Sequence, residues 1–220
     1  MDQTIVLSNI FPVLVAYLLG SIPTAVWVGK IFYGVDVRES GSGNAGATNT
    51  IRVLGLKAGI PVLLVDVFKG LTAILLTAPI HQLFGGVEVS AGLLLAVAAA
   101  AVLGHTFPVF ASFKGGKGVA TLLGVGFGIY PWASVCVVII FTAVLLISGY
   151  VSLSSITAGI SFPFFVLFLF PANHVFFTVL SIAVAVFLPI THRKNIKRLR
   201  NGTESKFRPG ARQTWFKKCS

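Results

Sequence analysis

Long apolar runs separated by short polar or charged segments set the pattern of this chain. A helix crosses a bilayer with about 17–25 mostly apolar residues. On that scale the runs predict seven spans, at about residues 5–32, 58–80, 89–104, 118–130, 131–148, 153–170 and 174–190. Pro12 and Pro23 predict kinks in the first span, which is long enough to continue past the membrane. The fourth is short and glycine-rich, nearer to a re-entrant or part-buried helix than to a free span. The expected fold is therefore an all-α polytopic membrane helix bundle.

Composition agrees with the pattern. Of 220 residues, 55% are hydrophobic and 10% charged, which excludes an ordinary water-soluble globule. The net charge of +11 does not point to nucleic acid, because the cations cluster at span boundaries, where the positive-inside rule and anionic lipid headgroups account for them. With the N-terminus outside, the inward segments (about 33–57, 105–117, 149–152 and 191–220), together with Lys30, hold every Lys and Arg except Lys69. The outward segments hold none. An odd number of spans with a cytoplasmic C-terminus follows, and both glycine-rich polar runs face the cytoplasm. Asp2 and Gln3 lead directly into apolar sequence, so no removable signal peptide is expected. Cys136 in an apolar run and Cys219 in the polar tail are not expected to meet.

Three polar constellations interrupt the grease. Residues 40–52 collect Gly41, Gly43 and Gly46, the donors Ser42, Asn44, Thr48 and Asn49, and the guanidinium of Arg52. Such a run can turn backbone N–H groups toward an anion and add a bidentate fork; taken alone it also reads as a solvated loop. In the second, Lys114 and Lys117 bracket Gly115 and Gly116, and Gly118 opens a helix whose N-terminus could face phosphate. It is not a Walker A loop, since Ala111 and Gly118 stand where that motif needs Gly and Ser or Thr. The third opens the tail, where His192 and Asn195 lie three apart among basic residues. It reads either as a topology signal or as one helical face aimed at a pocket. Inside the second span, Asp66 and Lys69 form an i,i+3 pair expected on the inward face. The four histidines lack partners at metal-ligand spacing, and no nucleophile elbow occurs.

Gly41-Ser-Gly-Asn-Ala-Gly-Ala-Thr-Asn-Thr-Ile-Arg52, Asp66-Val-Phe-Lys-Gly70, Gly104-His-Thr-Phe-Pro-Val-Phe110, Phe113-Lys-Gly-Gly-Lys-Gly-Val-Ala-Thr121 and His192-Arg-Lys-Asn195 together resemble the bacterial membrane acyl-phosphate:glycerol-3-phosphate acyltransferase family, PlsY. The likeness runs in order from Gly20 to about Leu199. It implies a monomeric seven-span inner-membrane enzyme, with residues 1–200 as one acyltransferase domain and 201–220 as a basic cytoplasmic tail of unassigned role. It also implies the reaction, in which a fatty acyl group passes from acyl-phosphate to the 1-hydroxyl of glycerol 3-phosphate in phospholipid synthesis. The donor is already activated, so neither metal nor cofactor is implied. Carried over residue by residue, Ser42, Gly43, Asn44, Thr48, Asn49 and Arg52 form one phosphate cradle, and Lys114, Gly115, Gly116 and Lys117 hold the second phosphate. His192 and Asn195 position the acceptor; Ser42, His192, Asn195 and Lys114 are the catalytic candidates, and Asp66, Lys69 and His105 support them. His192 is the preferred proton acceptor, with a substrate phosphate as the alternative and Ser42 as a less favoured acylated nucleophile. The best rival is an anion transporter, against which stand outward loops without cations and the absence of an inverted half-repeat.

Overall fold

The computed structural model describes residues 3–171 and 174–207. The described residues form helices joined by loops, with no strand among them: α1 (Gln3–Gly20), α2 (Thr24–Tyr33), α3 (Ala47–Leu54), α4 (Leu56–Leu75), α5 (Thr77–Leu83), α6 (Ala91–Thr106), α7 (Val119–Ile129), α8 (Pro131–Ser148), α9 (Val151–Phe164), α10 (Val175–Thr191) and α11 (Arg193–Arg200). A π-helical turn, Phe165–Leu169, extends α9. Among the described residues five stretches are long and apolar enough to cross a membrane, or six if the bent pair α10 and α11 counts as one. The chain is a multi-pass membrane protein. The segment expected as the fourth span is the 11-residue α7, which at 1.5 Å per residue falls well short of a bilayer.

The first expected span differs from its reading in an informative way. Pro12 is absorbed into α1, whereas Pro23 ends a true break between α1 and α2. Broken helices inside a membrane leave carbonyls that must find donors. Here the buried Lys69 supplies one, its Nζ donating to the Ile22 carbonyl at 3.1 Å. The same ammonium lies 2.8 Å from Asp66 Oδ1, so the expected i,i+3 pair forms, with both side chains almost wholly buried. Thr24 at the start of α2 donates to that carboxylate as well, at 3.2 Å.

The core joins α1, α4, α6, α7, α8, α9 and α10 through Ala16, Ala73, Val97, Ala101, Val125, Ala133, Phe162 and Leu188. Without a hydrophobic drive between helices in lipid, close contact depends on small side chains. The tightest pairing is α4 against α7. A Cβ on Gly124 would overlap the Val67 carbonyl, and one on Gly70 would overlap that of Thr121. The short α7 is thus locked backbone to backbone against α4, which fixes where its N-terminus points. Gly124→Val is expected to cost at least the 1–3 kcal/mol or so typical of overpacking, because a backbone atom cannot rotate away. A thermal melt in detergent checks this, and a melting temperature equal to wild type would mean that the two helices do not touch so closely.

Candidate active site

A cavity of about 470 Å³ opens where the three polar constellations converge. One end is polar, lined by Ser42, Asn44, Gly46, Thr48, Asn49, Arg52, Asp66, His105, Lys117, His192, Asn195 and Glu204. The other runs between α7, α8, α9 and α10 past Leu123, Val137, Phe141, Leu145, Ala158, Phe162 and Val184. It is therefore amphipathic along its length.

Residues 40–46 form the loop expected from their glycines only in part. Gly41 and Gly43 take φ of 63° and 72°, while Gly46 is extended and N-caps α3. Thr48, Asn49 and Arg52 belong to that helix rather than to a loop. The first-turn residues Ala47 and Thr48, whose N–H groups have no carbonyl below them in the helix, line the cavity. Asn49 is buried, and its amide is fully used within the protein. Its Oδ1 accepts from Ser42 N (2.8 Å) and Ser42 Oγ (3.1 Å), and its Nδ2 donates to the carbonyls of Val37 (2.7 Å) and Ser40 (3.1 Å). Asn49 shapes the loop from within. Ser42 Oγ donates to an amide oxygen and has no base bonded to it among the described residues, so none of these activates it as a nucleophile. Arg52 lines the cavity and has no carboxylate partner among the described residues.

The second constellation divides its lysines. Lys114 is exposed and does not line the cavity, in contrast to its expected catalytic role. Gly115 and Gly116 also turn their N–H groups away, into the carbonyls of Thr106 (3.2 Å) and His105 (3.1 Å). The donors that do line the cavity are Lys117 and the first turn of α7 at Val119 and Ala120. Gly43 and Lys69 also lie off this cavity.

The third constellation bends at its centre. His192 caps α10, the axis turns by 60°, and Asn195 sits in α11, yet both side chains reach the cavity. His192 Nδ1 lies 2.8 Å from the Leu188 carbonyl, which can only accept, so Nδ1 carries the proton and Nε2 keeps its lone pair. Burial, reinforced by the Lys117 cation, pushes His192 down to about 4, so the ring is neutral at pH 7. Burial likewise pushes Lys117 down to about 8, against the pull of Glu204.

Two participants were missed by sequence reasoning. Glu204 lies in the tail, yet its buried carboxylate accepts from Asn195 Nδ2 (2.6 Å), Ser152 Oγ (2.7 Å) and Arg198 Nε (2.6 Å). Burial would raise its pKa, but these three donors hold it below the usual range. Asn195 Oδ1 in turn accepts from Lys117 Nζ, so one chain of bonds runs from Arg198 to Lys117. The segment 201–207 folds back over the cavity, with Phe207 N bonded to the Gly149 carbonyl at 2.7 Å. The available signal was that Glu204 is the one carboxylate among the basic residues after His192. Trp215 and Cys219 lie outside the described residues. The other missed residue is Arg38, which grips Asp36 at 2.7 and 2.9 Å and donates to the Ala111 carbonyl at 2.9 Å, tying the first polar run to the second.

Comparison with known proteins gives one consistent relationship. A family model described as glycerol-3-phosphate acyltransferase matches residues 10–202. A glycerol-3-phosphate acyltransferase of Enterococcus faecalis is 46% identical over 212 residues, covering 93% of this chain and 94% of the relative. One from Fusobacterium nucleatum is 43% identical over 196 residues, covering 89% and 96%. Among solved structures, the integral membrane glycerol 3-phosphate acyltransferase PlsY (YgiH) in its glycerol 3-phosphate form has a TM-score of 0.79 at 40% identity, covering 91% of this chain and 96% of that one. Its lysophosphatidic acid form gives 0.78, also at 40% identity, covering 92% and 96%.

The charge on Lys117 is lost as pH rises through about 8, and an anion held beside it loses a cationic partner. Inorganic phosphate is expected to bind more weakly at pH 9 than at pH 7, as read by its shift of the melting temperature. Lys117→Arg is expected to remove most of that alkaline loss, because guanidinium stays charged. An equal loss in both proteins would assign the pH dependence elsewhere.

Proposed function

The chain belongs to the glycerol-3-phosphate acyltransferase (PlsY) family of integral membrane proteins, and from that premise we propose that it takes its acyl group from acyl-phosphate. The group passes to the 1-hydroxyl of glycerol 3-phosphate, and 1-acylglycerol 3-phosphate and inorganic phosphate leave. One observation carries this reading. A single cavity joins a cationic end, furnished with two helix N-termini, to an apolar limb between α7, α8, α9 and α10. Two phosphates belong at the first end and a fatty chain in the second. The glycerol 3-phosphate and lysophosphatidic acid forms of the related structure support the same assignment.

In this reading Arg52 and the N-terminus of α3 hold one phosphate, and Lys117 and the N-terminus of α7 hold the other. The acceptor hydroxyl oxygen attacks the acyl carbonyl carbon and passes its proton to His192 Nε2. The bond from the acyl carbon to the phosphate oxygen breaks, and phosphate departs with that electron pair. Burial is the larger cause of the His192 depression and the Lys117 charge the smaller; a dianion arriving in the cavity offsets that second part and so strengthens the base when substrate is present. Asn195, held between Lys117 and Glu204, orients the acceptor. Asn49 acts through the loop it braces.

For topology we propose seven spans, with α7 as the short one lodged against α4, an outside N-terminus, and the cavity and C-terminus at the cytoplasmic face of a bacterial inner membrane. The placement of the Lys and Arg residues supports this orientation. The bonds of Glu204 and Phe207 support a single catalytic unit that reaches at least to residue 207; the monomer is proposed from the family resemblance alone.

Purified protein in detergent, given acyl-phosphate and glycerol 3-phosphate, is expected to release phosphate and form the monoacyl product. No release at any chain length would overturn the donor assignment. His192→Gln is expected to lower kcat by about 10²–10⁴-fold, and turnover near wild type would hand the proton to a substrate phosphate. Arg52→Ala is expected to raise the KM of one phosphorylated substrate on the order of tenfold, as for the loss of a charge-assisted bond of about 1.5–3 kcal/mol.

A further inference from the structure

His105, expected only in an unspecified supporting role, takes part in no step of that reaction, yet it is buried to 6% exposure between the ion pair of α4 and the loop that carries Lys117. Its Nδ1 lies 3.7 Å from Asp66 Oδ1 and has no hydrogen-bond partner among the described residues. A second cavity of about 10 Å³, lined by Thr24, Asp66, Lys69, His105 and Gly115, lies at this junction. Its volume suits one water, and a water there can bridge an N–H and a carboxylate that stand too far apart to bond directly. The opposite edge of the ring lies against Gly116 so closely that a Cβ there would overlap Nε2. Below the ring, the carbonyls of His105 and Thr106 accept the N–H groups of Gly116 and Gly115.

We propose that His105 is a positioning residue for acyl transfer: anchored toward Asp66 and pressed on Gly116, it sets where the loop holds the Lys117 ammonium. The contacts form an unbroken series. Lys69 fixes Asp66 at 2.8 Å and is itself fixed by the Ile22 carbonyl at 3.1 Å. Asp66 faces His105, His105 bears on Gly116, and Lys117 is the next residue. Asp66 and His105 both reach the main cavity too, so a shift in either is felt where the phosphates bind. Gly116 must be glycine for the ring to approach, and the ring must carry a donor on the Asp66 side, which no apolar filler of the same size provides.

This inference rests on the proposed reaction, and the test separates the two. His105→Ala, His105→Asn and His105→Gln are purified, and each is assayed with acyl-phosphate and glycerol 3-phosphate beside wild type. The Asn amide nitrogen can occupy the place of Nδ1, whereas that of Gln reaches the place of Nε2. His105→Ala is expected to lower kcat/KM about tenfold to a hundredfold, as for a displaced binding group. The loss should fall mainly on the KM of the one substrate whose phosphate Lys117 holds. His105→Asn is expected to recover most of it, and His105→Gln little. The melting-temperature shift caused by inorganic phosphate is measured on the same proteins and needs no turnover, so an inactive wild type that still binds phosphate would defeat the donor assignment alone. A folded His105→Ala protein with wild-type KM values and phosphate shift would overturn the positioning role. So would Asn and Gln variants that behave alike, with losses only in melting temperature.

Discussion

A carboxylate and an ammonium buried side by side in a membrane helix constrain most of what surrounds them. Asp66 and Lys69 could not be kept in so apolar a setting unless each found further partners, since removing one member of such a pair costs about 3–5 kcal/mol. Lys69 finds its partner in the carbonyl freed where the first span breaks, and Asp66 finds Thr24 just beyond the break. The pair therefore explains a discontinuity that would otherwise be unsupported in lipid. It also ties α4 to the ends of α1 and α2, and through His105 to the last turn of α6. The polar end of the large cavity is built on that junction.

The same economy governs the loops. Most of their polar atoms are consumed in holding one another: Asn49 by four bonds, Gly115 and Gly116 by the end of α6, Arg38 by Asp36 and Ala111. Among the described residues, the groups that line the cavity with bonding capacity to spare are mostly donors: Arg52, Asn44, Thr48, the first turns of α3 and α7 and the Lys117 ammonium, which gives one bond to Asn195; the unprotonated nitrogen of His192 is the acceptor among them. A site of this kind suits an acyltransferase of glycerol 3-phosphate, whose reacting groups are anionic and whose acyl chain is not. Donors held in advance by bonds elsewhere need no reorganisation when charge develops on a carbonyl oxygen.

Much of this was legible in the chain before folding. Apolar run length sets span boundaries because lipid accepts only helices of sufficient length, and the run at 131–148 matches α8 to the residue. Glycine, hydroxyl and amide runs stand out against grease, so residues 40–52 and 114–118 were identifiable as polar stretches, and members of both line the cavity. His192 and Asn195, expected on one helical face, sit either side of a 60° bend, and both line the cavity.

What the sequence determined by itself, then, is the class of protein, the approximate helices and the three polar stretches that meet, because each depends on composition over a window of residues. Tertiary structure alone decided which member of each stretch lines the cavity. Lys117 lines the cavity and Lys114, three residues earlier, does not, because the carbonyls of His105 and Thr106 capture the intervening glycines and turn the loop. Glu204 joins the site across the fold, through bonds to Ser152 and Asn195 that no local pattern encodes. The direction of a side chain depends on which distant donor its neighbours meet, and that is a property of packing rather than of the string of residues.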